Sequence, residues 1–138
     1  MSEETKLPTI TEEFRKRVEE DCKIDTFNLI LENSALVNRT QVYIEEYYKQ
    51  HRKLTQLDQM VKEKKAQLLI YYKRDFEIKL TSMTDLMIMI EGDPKFQKYM
   101  SAYNEQKCVV EYLEKTIKNM TNKGYALKNI GELRKEDL

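Results

Sequence analysis

The chain is predicted to be all-α, built of long amphipathic helices packed in a homo-oligomeric helical assembly. Three observations predict it. Glycine and proline together number only five in 138 residues, where average usage is roughly 12%, so a turn-rich β sandwich or barrel is excluded. Charged residues make up 35% of the chain and hydrophobic residues 41%, the balance of helices with one buried stripe and one solvated face. Finally, no glycine or proline interrupts residues 26–72. As one helix that run would span roughly 70 Å at a 1.5 Å rise per residue, against a radius of gyration of about 14 Å for a compact chain of this size. Such a helix either breaks, near Asn38, or has its stripe covered by partner chains, and the second reading is favoured. The length suits one domain.

Three regions follow in order. In the first, residues 1–24, the chain is expected to be loose through residue 10, around Pro8. Thr9-Ile10-Thr11-Glu12, read as a capping box, then opens a short charged helix from about residue 11 to 23. The second region, residues 25–79, is long, helical and basic, with Asp25 as its N-cap. Its apolar residues Phe27, Ile30, Val37, Ile44 and Tyr48, then Leu54, Leu57, Val61, Leu68 and Tyr72, recur at helical spacings with a register shift around His51. Residues 73–83 mix charged and β-branched side chains and are expected to form a connection. In the third region, residues 80–138, Ser82 or Thr84 caps a short helix containing Leu86 to Ile90, which Gly92 ends. Asp93-Pro94 restarts the helix as N-cap and first helical residue. Phe96, Tyr99, Tyr103, Gln106, Val110, Leu113, Ile117 and Met120 then follow a 3-4-3-4 pattern suited to left-handed helix packing. Gly124 is expected to stop that helix, leaving Tyr125, Leu127, Ile130 and Leu133 as one face of a last short helix.

Reaction chemistry finds little support. There is no G-x-x-x-x-G-K-[S/T] phosphate loop. Two cysteines, Cys22 and Cys108, and a single histidine, His51, match no zinc-site spacing. Carboxylates sit among lysines, as on salt-bridged helix surfaces, so the expectation is a non-enzyme with no cofactor and no metal. The acidic start Met1-Ser2-Glu3-Glu4 does not resemble a signal peptide. The apolar run Leu86 to Ile90 is far short of the roughly twenty residues that a membrane helix needs. A cytoplasmic protein with reduced thiols is expected.

The formal net charge is zero, 24 basic against 24 acidic residues, but the charge is segregated. Residues 49–74 carry Lys49, Arg52, Lys53, Lys62, Lys64, Lys65, Lys73 and Arg74 against Asp58 and Glu63, a net +6. Residues 115–135 carry Lys115, Lys118, Lys123, Lys128, Arg134 and Lys135 against Glu132, a net +5. Residues 1–25 and 80–114 each sum to −3. On a helical wheel Lys64 and Lys65 flank the apolar stripe on opposite sides. Tyr71 and Tyr72 beside Lys73 and Arg74 provide the mix of π face and cation used to bind single strands. Tyr72 falls on the stripe and is expected in the core, which leaves Tyr71 as the freer ring. The candidate nucleic-acid-binding residues are therefore Lys62, Lys64, Lys65, Tyr71, Lys73, Arg74, Lys49, Arg52 and Lys53. Repeated once per subunit, such patches would give tight, salt-sensitive binding.

The C-terminal third carries Val109-Val110-Glu111-Tyr112-Leu113-Glu114-Lys115-Thr116-Ile117-Lys118, then Thr121-Asn122-Lys123-Gly124-Tyr125-Ala126-Leu127-Lys128-Asn129-Ile130 and Leu133-Arg134. This pattern resembles the end of the UvsY recombination mediators of T4-like phages. Ile24-Asp25 before the long helix, and Lys-Ala-x-Leu ahead of a Tyr-Tyr pair, extend the similarity to residues 24–135. The resemblance implies a phage-encoded helical protein acting in the host cytoplasm without enzymatic activity. It would form a ring of six or seven subunits and bind single-stranded DNA. It would help a RecA-like recombinase of the UvsX type to load onto strands coated by the phage single-strand-binding protein. The family's Lys-Ala-Arg-Leu DNA-binding motif corresponds to Lys65-Ala66-Gln67-Leu68. The lysine is kept and the arginine is Gln67, with Lys62, Lys64 and Arg74 available to replace its charge. Where the family's type member has a Gly-rich stretch, this chain has Lys73-Arg74-Asp75-Phe76. Tyr125, Leu127, Ile130 and Leu133 correspond to an oligomerisation element. Two other readings compete: a helical scaffold or assembly chaperone that binds only protein, and, more weakly, a metal-dependent nuclease using scattered carboxylates.

Overall fold

A computed structural model describes residues 10–24, 29–79 and 82–136, and among them there is no strand. The elements are α1 (Glu12–Cys22), α2 (Leu29–Ile70), a π-helical turn (Tyr71–Asp75), α3 (Met83–Gly92) and α4 (Pro94–Glu136). Several expectations lie outside the described residues: the loose segment 1–9 with Thr9 as cap, Asp25 as N-cap, and Phe27 in the stripe. The side chains of Ile30 and Lys135 lie outside them too.

The structure corrects the punctuation of the helices. The cap of α1 is Thr11, two residues beyond the expected Thr9; its Oγ1 accepts the Phe14 N–H at 3.1 Å. α2 runs through Asn38 without a break, and α4 runs through Gly124 and Gly131. A lone glycine costs a helix only about 1 kcal/mol, which packing outweighs. At Gly124 packing also asks for a small residue, because an added Cβ would lie 3.3 Å from Leu36 Cδ2 of α2. Gly92 is the last residue of α3, yet no glycine takes a positive φ, so the helix ends in extended backbone at Asp93 rather than in a left-handed cap.

The described residues form two compact units. The first spans residues 51–108. Leu68 of α2, Tyr72 of the π turn, and Leu86 and Ile90 of α3 are buried together, and Leu69, Phe76, Met87, Met89 and Phe96 pack against them. Leu86 and Ile90 lie one helical turn apart on a single face of α3, which is why a helix this short can seal the core. Asp93 joins α3 to α4 and does two jobs. Its Oδ1 accepts the Lys95 N–H at 2.8 Å, capping α4 ahead of Pro94, and its Oδ2 accepts the Tyr72 hydroxyl at 2.6 Å.

The second unit spans residues 10–50 and 109–136. Val18 of α1, Tyr43 of α2, and Leu113 and Met120 of α4 form its core, with Phe14, Leu36, Tyr47, Val109, Tyr112 and Ile117 packed around them. Val37 (72% exposed) and Tyr48 (58%) face outward, against the expected stripe. The inward residues are Leu36, Tyr43, Tyr47 and Gln50. On a 3.6-residue helix Val37 and Tyr48 point about 120° and 140° away from Tyr43, whereas Leu36, Tyr47 and Gln50 fall within about 40° of it. Tyr43, Tyr47 and Gln50 run into Leu54, Leu57 and Val61 at unbroken 3-4 spacing, so the register shift expected near His51 disappears once a glutamine is allowed inside. The α4 stripe is as expected, with Gln106, Val110, Leu113 and Met120 buried and Phe96, Tyr99, Tyr103 and Ile117 half-buried.

Candidate nucleic-acid interface

In the 51–108 unit, α2 presents most of the predicted basic residues. Arg52, Lys62 and Lys65 are exposed, and Lys53 and Lys64 are half-buried. Lys62 Nζ lies 3.0 Å from Asp58 Oδ2, one turn earlier on the exposed face; such pairs contribute only about 0.3–0.5 kcal/mol, so a phosphate can displace the carboxylate cheaply. Lys64 Nζ donates to Gln67 Oε1 at 3.1 Å and sits 5.4 Å from the centre of the Tyr99 ring on α4. Lys65 has no ion-pair partner among the described residues. Gln67, where the family motif has arginine, is exposed, and Leu68 is buried in the core.

The π turn continues the basic surface. Lys73 and Arg74 are exposed at the end of α2, where the helix dipole favours cations. Tyr71 is 44% exposed and Tyr72 is buried, as expected. The two rings stack edge to face, 5.0 Å between centroids, and Tyr71 lies 6.1 Å from Phe76. Tyr71 is thus braced on one side and open on the other. The hydrogen bond to Asp93, with burial second, pushes the Tyr72 phenol up to about 12. The same bond holds the Asp93 carboxyl below its ordinary 3.8. That bond ties the π turn to the start of α4 and fixes the base on which Tyr71, Lys73 and Arg74 stand.

Two grooves meet at Lys62 and Lys65. A shallow one of about 260 Å³ is almost wholly apolar and lies between Ala66 and Leu69 of α2 and Met83, Met87 and Ile90 of α3. A wider one of about 750 Å³ runs along α4. Its α4 wall is Phe96, Gln97, Met100, Ser101 and Asn104, and Asp58, Val61 and Glu91 complete it. The sequence reading missed this wall. Its signal was available: Gln97, Ser101 and Asn104 stand at i, i+4 and i+7, an uncharged polar face on a heavily charged helix.

In the 10–50 and 109–136 unit, Lys49 is exposed on α2. Lys123 is not part of any basic surface. Its side chain is 1% exposed, forms an ion pair with Glu32, and donates to the Asp21 carbonyl at 2.7 Å. It extends the inward 3-4 spacing of α4 between Met120 and the buried Leu127, a position where a cation needs a partner. Asp21 also accepts the Tyr43 hydroxyl at 2.6 Å and lies 3.7 Å from Arg39 Nε. Burial, then the bond to Asp21, pushes the Tyr43 phenol strongly up. The four residues matched to an oligomerisation element do not share a face. Tyr125 (66% exposed) and Leu133 (61%) face outward, Leu127 is in the core, and Ile130 is half-buried, because α4 continues as one helix with its inward face already set by Met120. Cys22 and Cys108 are free thiols.

No helix among the described residues is long and apolar enough to cross a membrane. The fold is that of the bacteriophage T4 recombination mediator protein UvsY. Its crystal structures in lattice types IV and I match with a TM-score of 0.81 and 14% sequence identity, over 92% of this chain and 98% and 100% of theirs. Lattice type II matches with the same score and identity over 91% of this chain and 96% of that one. No curated protein sequence matches the chain. Residues 17–137 match the family described as "Recombination, repair and ssDNA binding protein UvsY", a span that takes in all of α2, α3 and the basic π turn, and the chain therefore belongs to the UvsY family.

Proposed function

We propose that the chain is a recombination mediator that binds single-stranded DNA through α2 and the π turn. It would help a RecA-like recombinase of the UvsX type to load onto strands coated by a phage single-strand-binding protein. The observation that carries this reading is the family match over residues 17–137. Within the site, Lys62, Lys65, Lys73 and Arg74 provide exposed cations and Tyr71 a braced, half-open ring for stacking. Lys64, Arg52 and Lys53 add charge in the same unit, and Lys49 adds charge in the other. Such a mediator needs differential affinity for strand conformations rather than bond-making chemistry. We assign it no enzymatic activity, a place in the host cytoplasm, and assembly into a homo-oligomeric ring of six or seven subunits. The exposed apolar residues Val37, Tyr48, Tyr125 and Leu133 are the surface such an assembly would cover.

The test is fluorescence anisotropy with an oligothymidylate across a salt series, run alongside sedimentation mass. Binding should weaken steeply with salt, since phosphate contacts on single strands contribute a slope of about −0.7 each. Absence of single-strand affinity at about 50 mM salt, where such contacts are strongest, would refute the reading.

A further inference from the structure

The wider groove beside Lys65 differs in chemistry from the basic surface around it. Its α4 wall alternates apolar and amide side chains: Phe96 and Met100 provide flat apolar surface, while Gln97 and Asn104 offer both donors and acceptors. Its charged lining is balanced, Glu91 and Asp58 against Lys62 and Lys65. The carboxylates accept hydrogen bonds from neutral amines, and the lysines can hold a phosphate at the groove. The ligand this groove fits is a flat, uncharged ring system with a polar rim, attached to an anion held by Lys65. Its volume of about 750 Å³ lies within the roughly 300–1,000 Å³ of ligand clefts.

We infer that the groove between α2 and Gln97, Met100 and Asn104 of α4 is a nucleobase seat: it takes bases turned out of a single strand whose phosphates lie on Lys65. This rests on the single-strand-binding reading above and adds to it. A base can enter only when its edge is unpaired and its faces are unstacked, which a duplex does not permit. The groove would thus let the protein sense strand conformation, where the lysines alone sense only charge.

The experiment compares two probes of equal length on the full chain, an oligothymidylate and a strand of abasic spacers carrying the same phosphates. Gln97→Ala with Asn104→Ala alters exposed side chains and leaves the core intact. It should weaken thymidylate binding about 5–10-fold, the loss of one or two modest hydrogen bonds, and leave abasic binding within about twofold. Lys65→Ala should weaken both probes alike. Equal loss on both probes from the double substitution, or no loss on either, overturns the base seat while the phosphate contacts stand. Failure of the unsubstituted protein to bind either probe overturns the seat and the single-strand reading together.

Discussion

Lys123→Met is the substitution whose cost can be worked most fully from the structure. Lys123 sits inside the 10–50 and 109–136 unit with its ammonium against Glu32 and the Asp21 carbonyl. Methionine keeps most of the aliphatic stem, so the cavity contribution is small. What is lost is the charge. Removing one partner of a buried pair costs about 3–5 kcal/mol, because the other charge is left uncompensated. Glu32 is not wholly stranded: its side chain is 15% exposed and Arg39 Nη1 lies 3.8 Å away, which favours the lower end of that range. The Asp21 carbonyl, among the last of α1, loses a donor worth about 1 kcal/mol. The sum is about 4 kcal/mol, or a fall in Tm on the order of 10 °C for a chain of this size.

The assay is urea unfolding followed by circular dichroism, at several protein concentrations because assembly raises apparent stability. Glu32→Gln and the double substitution complete the cycle. The double substitution should cost at least about 2 kcal/mol less than the two single costs added together, since the two groups depend on each other. A single-site loss below about 1 kcal/mol, with additive costs, would refute the account of Lys123 as an internal clamp. Affinity for single strands, measured where the variant is folded, should not change, because this lysine is not on the surface.

Lys73→Ala with Arg74→Ala should do the reverse, lowering single-strand affinity and reducing the salt slope by about 1.4 while the urea midpoint stays put; an unchanged slope would remove the π turn from the interface. The Tyr72–Asp93 bond carries a pH signature with two limbs. Asp93, held below its ordinary 3.8, adds stability above that value that is lost as pH falls through its lower folded value. Tyr72, raised from 10 to about 12, adds stability that is complete below pH 10 and lost as pH rises through about 12. Phenolate absorbance should show Tyr72 and Tyr43 titrating late, and Asp93→Asn should return one of the two toward the others. The two helical glycines of α4 should respond differently to alanine. Gly131→Ala, where an added Cβ meets nothing within 4 Å, should stabilise by about 0.5–1 kcal/mol. Gly124→Ala should gain less, because its Cβ presses Leu36 at 3.3 Å, and equal gains would discount that contact.

The helices could be read from the sequence because their signals are local. The glycine-free run, the Asp93-Pro94 restart and the 3-4 spacing of Phe96 to Met120 each depend on near neighbours along the chain. The errors came where a tertiary contact outweighed a local rule. Gly124 looks like a stop, but α4 runs through it, packed against Leu36. Val37 and Tyr48 look like core, but Gln50 takes an inward place because its amide donates to Glu46 at 2.8 Å, satisfying a group that polarity alone would put outside. Lys123 counted toward a basic surface because nothing nearby in sequence reveals Glu32 across the unit. Tyr71 and Tyr72 were separable in advance, since the stripe assigns one inward and leaves the other out. The groove wall of Gln97, Ser101 and Asn104 was overlooked because uncharged polar residues give no electrostatic signal, even at regular spacing.

The departure of Gln67 from the family motif has a physical reading in the proposed site. An arginine at that position would stand three residues after Lys64 on the same helix, and like charges at that spacing repel by a few tenths of a kcal/mol. Glutamine instead accepts a hydrogen bond from Lys64, whose ammonium also rests near the Tyr99 ring. Those contacts draw Lys64 toward α4, on the side of the stripe away from Lys65. Lys65 on α2 and Lys73 and Arg74 in the π turn are among the cations without an ion pair among the described residues, and Lys62 is held only by the half-buried Asp58. The charge that the motif would place at residue 67 is found here one to two helical turns further on, beside Tyr71. A strand following that surface would pass from the groove at Lys65 to the open face of Tyr71, meeting apolar or aromatic surface at both ends and a cation beside each.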